Sequence, residues 1–362
     1  MNEKFTPNYT LTEEITSYLL RIENAKNKSI SLPLNPRILT SLRQTAKLFT
    51  THYSTMIEGN QLEPLEVKKV LKHNGHFPGR ERDEQEVKGY YAALAKLEMY
   101  VEEKNSITEK IIQTLHALVI SDGKVKAQPT PYRDGQNVIR DGYSGQIVYM
   151  PPEAKDVTNL MKQMIDWLNQ NKHLPCPVLA AVAHYQFATI HPYFDGNGRT
   201  ARLLTTLVLH LGGYDLKGLY SLEEYYAKNL PRYYEAITIG PSHNYYLGRA
   251  EADITGWISY FCEGMAFAFE NVIREMERSL LQNEVDHSPI LRKLDPKQRK
   301  VLELFETSEE VKTSLIAELF SFSPRTARQL CQKWVETGFF EIANPSNKNR
   351  TYSLSKKYQN IF

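Results

Sequence analysis

A mainly α-helical body carrying one β-hairpin, followed by a small basic C-terminal domain, is the fold class the sequence predicts. Three observations carry it. Up to about Glu284, apolar residues recur three and four apart, as in Ile38, Leu42, Ala46 and Phe49 or in Ile111, Leu115, Leu118 and Val119, the spacing that stripes one face of a helix. Residues 135–152 break that period: Gly135, Gly142 and Gly145 punctuate two short β-favouring runs, 137–139 and Gln146, Ile147, Val148 and Tyr149, the composition of a hairpin. Charge is the third. Residues 291–362 hold 13 Lys and Arg against 8 Asp and Glu, a local +5, while the rest holds 31 against 34, or −3.

At 362 residues the chain exceeds the roughly 250–300 at which a single core stops growing. Residues 1–103 read as an N-terminal helical region and 104–275 as a central core. Within the core, Pro151-Pro152 ends the hairpin, and a helical period resumes at Val157, Leu160, Met164 and Trp167. A long helix over 254–281 follows, with Asp253 as its N-cap. Ser288-Pro289 and Asp295-Pro296 interrupt a polar stretch, so 276–290 reads as a linker and 291–362 as a separate domain. A composition of 41% hydrophobic and 24% charged residues excludes a mainly disordered chain. There is no run of about 18 apolar residues and no secretory leader pattern, so a cytoplasmic location and no membrane partner are expected. Cys176, Cys262 and Cys331 are too scattered for a disulfide framework or a zinc knuckle.

The densest chemistry lies in His191-Pro-Tyr-Phe-Asp195-Gly196-Asn197-Gly198-Arg199-Thr-Ala-Arg202. Helical patterns flank it, so the segment reads as a loop feeding a buried helix. Such a helix start offers unpaired N–H groups and the positive end of a dipole, and glycines let an anion come close. Arg199 and Arg202, three apart, can grip separate phosphates. Asp195 is the hard oxygen ligand that Mg²⁺ prefers, and His191 is a general base whose ordinary pKa lies near neutrality. A lone histidine or a Gly-Asn-Gly turn is usually structural, but no turn needs this whole set. Polyphosphate chemistry is favoured, and neither a P-loop nor a dinucleotide-binding glycine pattern occurs.

This segment resembles the signature of the Fic family, His-Pro-Phe-x-Asp/Glu-Gly-Asn-Gly-Arg-x-x-Arg, with Tyr193 in place of phenylalanine. The resemblance implies a Fic-fold helical bundle and a protein adenylyltransferase that moves AMP from Mg·ATP to a Ser, Thr or Tyr hydroxyl. It implies His191 as base and Asp195 as magnesium ligand. Asn197, with Gly196 and Gly198, would form an anion hole for the α-phosphate, and Arg199 and Arg202 would hold the β- and γ-phosphates. The hairpin resembles the family's flap, with Gln146, Ile147, Val148 and Tyr149 aligning a target by strand addition. Tyr233 and Asn229 fall where the family builds its nucleoside pocket. Upstream, Ser54-x-x-x-Glu58-Gly59 resembles the inhibitory motif, in which the glutamate pairs with the second signature arginine, here Arg202.

The tail has its own pattern. After apolar positions 301–305 and 315–320, Ser323 and Pro324 are placed to cap and open a helix. Phe339 to Ile342 and Thr351 to Leu354 then flank a polar turn. This resembles a winged helix-turn-helix, with Arg325, Arg328, Gln329, Gln332 and Lys333 on the recognition face and Lys348 and Arg350 in the wing. The partners implied are a hydroxyl-bearing target protein and, for the tail, DNA or a second protein; a homodimer is left open. Rival readings are removal of AMP or transfer of another phosphodiester by the same site, and a winged-helix regulator whose core senses ATP.

Overall fold

The computed structural model describes residues 4–32, 36–73, 75–121, 128–140, 144–239, 243–281, 294–305, 308–346 and 350–359. Gly142, Lys348 and most of the expected linker lie outside the described residues. The chain divides into two compact units, Met1–Ser29 with Thr45–Ile273, and Ile30–Gln44 with Arg274–Phe362.

The first unit is helical: most of α1 (Glu13–Ser31), α2 (Pro36–Ile57) from Thr45 on, α3 (Pro64–His73), α4 (Glu81–Glu102), α5 (Glu109–Ile120), α6 (Ala154–Gln170), α7 (Cys176–Ile190), α8 (Asn197–Leu211), α9 (Leu222–Lys228), α10 (Leu230–Ile237) and α11 (Thr255–Leu281) up to Ile273. Its centre is α7. From Pro177 to Ile190 every residue except Ala188 is buried, as a helix that is mostly apolar on every side requires. α8 lies along it, α6 packs on another side, and α4 and α5 pack on α8. Apart from residues 30–44, the helical segments that precede residue 104 share one unit with the central core. Thr108 caps α5 by accepting from Ile111 N, and Ser221 caps α9 by accepting from Glu224 N. Asp253 Oδ1 accepts from both the N–H and the hydroxyl of Thr255, at 2.9 and 2.6 Å, as α11 begins. No helix among the described residues is long and apolar enough to cross a membrane.

The hairpin pairs β1 (Ile139–Arg140) with β2 (Ile147–Tyr149) in antiparallel register, Ile139 opposite Tyr149 and Arg140 opposite Ile147. β1 starts later than the β-favouring run. The side chain of Asn137 takes that position out of the ladder, accepting from Val138 N at 2.8 Å and donating to Tyr193 O at 3.1 Å. Beyond β2, Met150 donates to His243 O and accepts from Tyr245 N, which ties the hairpin's stem to the body.

The second unit carries α12 (Pro296–Val301), β3 (Val311–Lys312), α13 (Thr313–Leu319), α14 (Pro324–Glu336), β4 (Phe340–Asn344), β5 (Thr351–Leu354) and α15 (Lys356–Gln359). Its strands form one antiparallel sheet in the order β3-β5-β4. Ser323 accepts from Thr326 N and Pro324 opens α14, as their residue types predict. Ala327, Cys331 and Trp334 turn inward, three and four apart. Trp334, Phe339, Phe340 and Tyr352 fill a core of the unit's own. At two residues, β3 is too short to leave a sequence pattern.

One close approach sets how α4 packs on α5. A methyl group added at Gly89 of α4 would fall on the carbonyl oxygens of Leu118, Val119 and Ser121 at the end of α5, and these are backbone atoms that cannot swing aside. Gly89→Ala should therefore destabilise the unit by about 2 kcal/mol. A thermal melt should show Tm lowered by roughly 4–8 °C.

Candidate active site

The loop joining α7 to α8 turns on two left-handed residues. His191 caps α7 at φ 51°, ψ 60°, and Gly196 precedes α8 at φ 76°. For a non-glycine residue that conformation is strained and persists only where surroundings impose it. Here the N–H of His191 donates to Phe187 O at 3.0 Å and its carbonyl accepts from Arg133 Nε at 2.9 Å. Its imidazole Nδ1 lies 3.4 Å from Ala188 O. A carbonyl only accepts, so Nδ1 carries the proton and Nε2 keeps its lone pair. The near-neutral pKa expected from the residue type is corrected: burial pushes the imidazole down to about 4, with the Arg133 charge acting the same way and Ala188 O, Glu58 and Asp195 opposing. The ring is thus the neutral base at physiological pH.

Behind the loop, the ring of Tyr193 stacks on His116 with centroids 3.5 Å apart. His116 Nε2 lies 2.9 Å from Asp195 O. Asn197 does not point its amide at an incoming anion. It accepts from Tyr193 N at 3.0 Å and donates to Tyr193 O at 2.8 Å, so it braces the loop. The N–H of Gly196 is likewise taken, by Asp195 Oδ1 at 2.6 Å. Asp195 itself is 69% exposed. No three His, Cys, Asp or Glu side chains among the described residues cluster as a metal cage. The donor set suits a magnesium ion that takes one carboxylate and completes its shell from a nucleotide and water.

Both signature arginines are buried. Arg199 Nη2 meets Asp195 Oδ1 at 3.3 Å and Nη1 meets Glu86 Oε1 at 3.6 Å. Arg202 Nε donates to Ser54 Oγ at 2.8 Å, while Nη2 donates to Ser54 O at 2.8 Å and to Glu58 Oε1 at 2.9 Å. Burial opposes the charge on Arg202, yet Glu58 beside it more than offsets this, and its pKa is raised. Arg199 Nε and Arg202 Nη1 remain buried without a partner among the described residues, so the site has donor capacity left for an anion.

Glu58 reaches this place for a local reason. α2 closes in a Schellman turn, with Asn60 N donating to Thr55 O, Gly59 N donating to Met56 O, and Gly59 at φ 96°. A carboxylate there opposes the dipole of its own helix. It faces the N-terminus of α8 instead, so close that a methyl group at Gly198 would collide with Glu58 Oε1. The Glu58 carboxylate therefore occupies the helix-start anion site. Tyr234 OH adds a tether from α10, donating to Ile57 O at 3.2 Å.

Of the flap residues, Gln146, Ile147 and Val148 are exposed, the last two at 43% and 37%. Tyr149 is corrected from a target-facing residue to an anchor: it is buried and donates from its hydroxyl to Thr189 O at 2.7 Å. Tyr233 lies in the core, where its hydroxyl is 3.0 Å from His184 Nε2 and its ring stacks on Tyr226. Asn229 is exposed and caps α10 by accepting from Arg232 N.

Three residues of the site carried no readable signal. Arg133 lies in an irregular segment, and His116 resembles core on an apolar helix. Glu86 sits among the charges of 81–86, which read as a solvated face, yet it is buried and also accepts from Asn60 Nδ2 at 3.1 Å.

Residues 106–209 match the model of the Fic/DOC family, and the chain carries a Fic domain. It is 28% identical over 276 residues to protein adenylyltransferase fic-1 of Caenorhabditis briggsae, covering 74% of this chain and 51% of that protein. It is 34% identical over 166 residues to protein adenylyltransferase Fic of Drosophila willistoni, covering 45% of this chain and 32% of that protein. The chain thus spans about half, or less, of these relatives' length. A solved Fic family protein from Desulfovibrio desulfuricans G20 superposes with a TM-score of 0.63 at 25% identity, over 98% of this chain and 100% of that one. A Fic domain containing signaling protein from Bacteroides thetaiotaomicron VPI-5482 shares the fold, with a TM-score of 0.62 at 23% identity over 73% of this chain and 100% of that one.

Because burial holds His191 neutral, its ring resonances should titrate near pH 4, with no inflection at the usual 6.5. The assignment comes from comparing spectra with those of His191→Ala. Since Glu58 supports the imidazolium, Glu58→Gly should move the midpoint lower still.

Proposed function

We propose that this chain is a protein adenylyltransferase, moving AMP from Mg·ATP to a Ser, Thr or Tyr hydroxyl of a target protein, with Glu58 holding the site in check. One observation carries the reading: a neutral histidine and two buried arginines converge on a single helix N-terminus already filled by a carboxylate. The relatives named protein adenylyltransferase support the choice of AMP transfer.

In this reading the target hydroxyl gives its proton to His191 Nε2 while its oxygen bonds to the α-phosphorus. The bond from that phosphorus to the bridging oxygen breaks, and pyrophosphate leaves. Arg199 and Arg202 neutralise the charge that builds on the departing phosphates, within a site that is already oriented. Gly198 leaves room for a phosphate at the helix start, the space Glu58 now fills. Asp195 would hold Mg²⁺, which supplies charge neutralisation on the polyphosphate. Exposed Ile147 and Val148 suit strand addition by an extended target segment. While Glu58 stays on Arg202, a γ-phosphate is denied that cation and the triphosphate binds misaligned.

Glu58→Gly should raise automodification or target labelling from α-labelled ATP tenfold or more, a barrier change of at least about 1.4 kcal/mol. Adding Arg202→Ala should cancel the gain, and adding His191→Ala should lower labelling by roughly 10²- to 10⁴-fold. Equal labelling by wild type and Glu58→Gly at saturating Mg·ATP would sink the brake. A product mass other than one AMP would redirect the chemistry.

For the C-terminal unit we propose a winged helix-turn-helix that contacts duplex DNA or a protein through α14. Arg325, Arg328, Gln329, Gln332 and Lys333 are all exposed on the side opposite Trp334. None of the three cations pairs with a carboxylate among the described residues. If DNA is the partner, affinity should fall steeply between roughly 50 and 200 mM salt, and Arg325→Ala with Arg328→Ala should weaken it. Salt-insensitive or absent binding would assign the face to a protein.

A further inference from the structure

Arg133 is a cation buried to 4% exposure that forms no ion pair with a carboxylate among the described residues. Burying an arginine is costly unless it is hydrogen-bonded. Here each of its three guanidinium nitrogens donates to a backbone carbonyl, from three places in the chain. Nε donates to His191 O at 2.9 Å, Nη1 to Gly135 O at 3.0 Å, and Nη2 to Pro152 O. Its own N–H donates to Pro192 O at 2.9 Å. Gly135 and Pro152 bound the hairpin segment, and His191 is the left-handed residue between α7 and the signature loop. Neighbours repeat the pattern: Gln136 Nε2 donates to Pro151 O at 3.1 Å and Asn137 Nδ2 to Tyr193 O at 3.1 Å.

We infer that Arg133 is a positioning residue that locks the two stems of the hairpin to the backbone of His191, so that the strand receiving the target and the base that deprotonates it move as one body. The inference rests on the transfer reading proposed above. A brace meant only for stability has no need of a buried charge, since uncharged groups can satisfy carbonyls at lower desolvation penalty. What the guanidinium adds is a rigid planar fork that reaches three separated carbonyls in one geometry, which lysine cannot reproduce. It is also one of the contacts that hold a non-glycine residue in the left-handed region, beside the bond from the His191 N–H to Phe187 O. With the fork gone, His191 can relax toward an ordinary helix end and carry its imidazole away from where the hairpin presents a hydroxyl. The phosphate-binding groups, on α8, are not touched by Arg133.

The test compares Arg133→Lys and Arg133→Gln in the full chain, each with and without Glu58→Gly. Arg133→Lys keeps the charge and removes the fork; if Arg133→Gln fails to fold, the lysine variant decides. Nucleotide affinity should stay within about twofold of the parent, while the turnover number for target labelling falls tenfold or more. Two readouts do not depend on turnover. Amide exchange at Ile139, Arg140 and residues 147–149 should quicken at least tenfold while amides of α7 and α8 stay protected, and the His191 ring resonances should shift. Overturning results are hairpin exchange and His191 resonances unchanged in Arg133→Lys, or exchange that quickens equally throughout the unit, which would make Arg133 an ordinary structural brace. If Glu58→Gly labels nothing, the transfer reading fails, while exchange and resonances still decide whether Arg133 couples hairpin to histidine.

Discussion

A buried guanidinium must find acceptors, and at Arg202 one of them is a carboxylate. The arginine's place is set by packing, since α8 lies along the buried α7 and carries Arg202 inward with its other buried residues. Removing one partner of a buried pair typically costs about 3–5 kcal/mol, so some acceptor has to sit beside it. Glu58 supplies a carboxylate and Ser54 supplies a hydroxyl and a carbonyl. The docking of the end of α2, the need for glycine at 59 and 198, and the tether from Tyr234 all follow from bringing that carboxylate to the start of α8. A phosphate is another anion of suitable size for the same place, and in the proposed reading regulation is a competition between two anions for one cation.

The loop beside it answers a different constraint. A left-handed histidine next to a helix end holds its shape only when neighbouring groups impose it, and here they do so from several directions. Asn197 braces Tyr193 on both its N–H and its carbonyl, His116 reaches Asp195 O, and Arg133 reaches His191 O. Side chains whose residue types suit phosphate binding are partly used to hold the loop instead. The same crowding that orients His191 also desolvates it, so one packing arrangement both fixes the imidazole and keeps it unprotonated.

The C-terminal unit separates its two tasks by face. Trp334, Phe339, Phe340 and Tyr352 stack and edge against one another in its core, so the exposed side of α14 is free of any packing duty. Its cations stay in water, where they take no part in holding the unit together and remain available to a partner.

How much was legible in the sequence follows from the range of each force. Helices, caps and the hairpin are short-range products of residue spacing and turn chemistry, so α7, α8, α11 and the Ser323-Pro324 start of α14 could be read from their own residues. The signature loop could be read too, because its chemistry is contiguous from His191 to Arg202, and Glu58 because it sits in a recognisable motif. What the sequence could not decide depends on groups far apart in the chain meeting at one point. Arg133 acquires its meaning only beside Gly135, Pro152 and His191, and Glu86 only beside Arg199 and Asn60. Burial, which turned Tyr149 and Tyr233 inward and drew the pKa of His191 down to about 4, is a property of the packed surroundings. No local spacing encodes it, because the helices that exclude the water come from all along the chain.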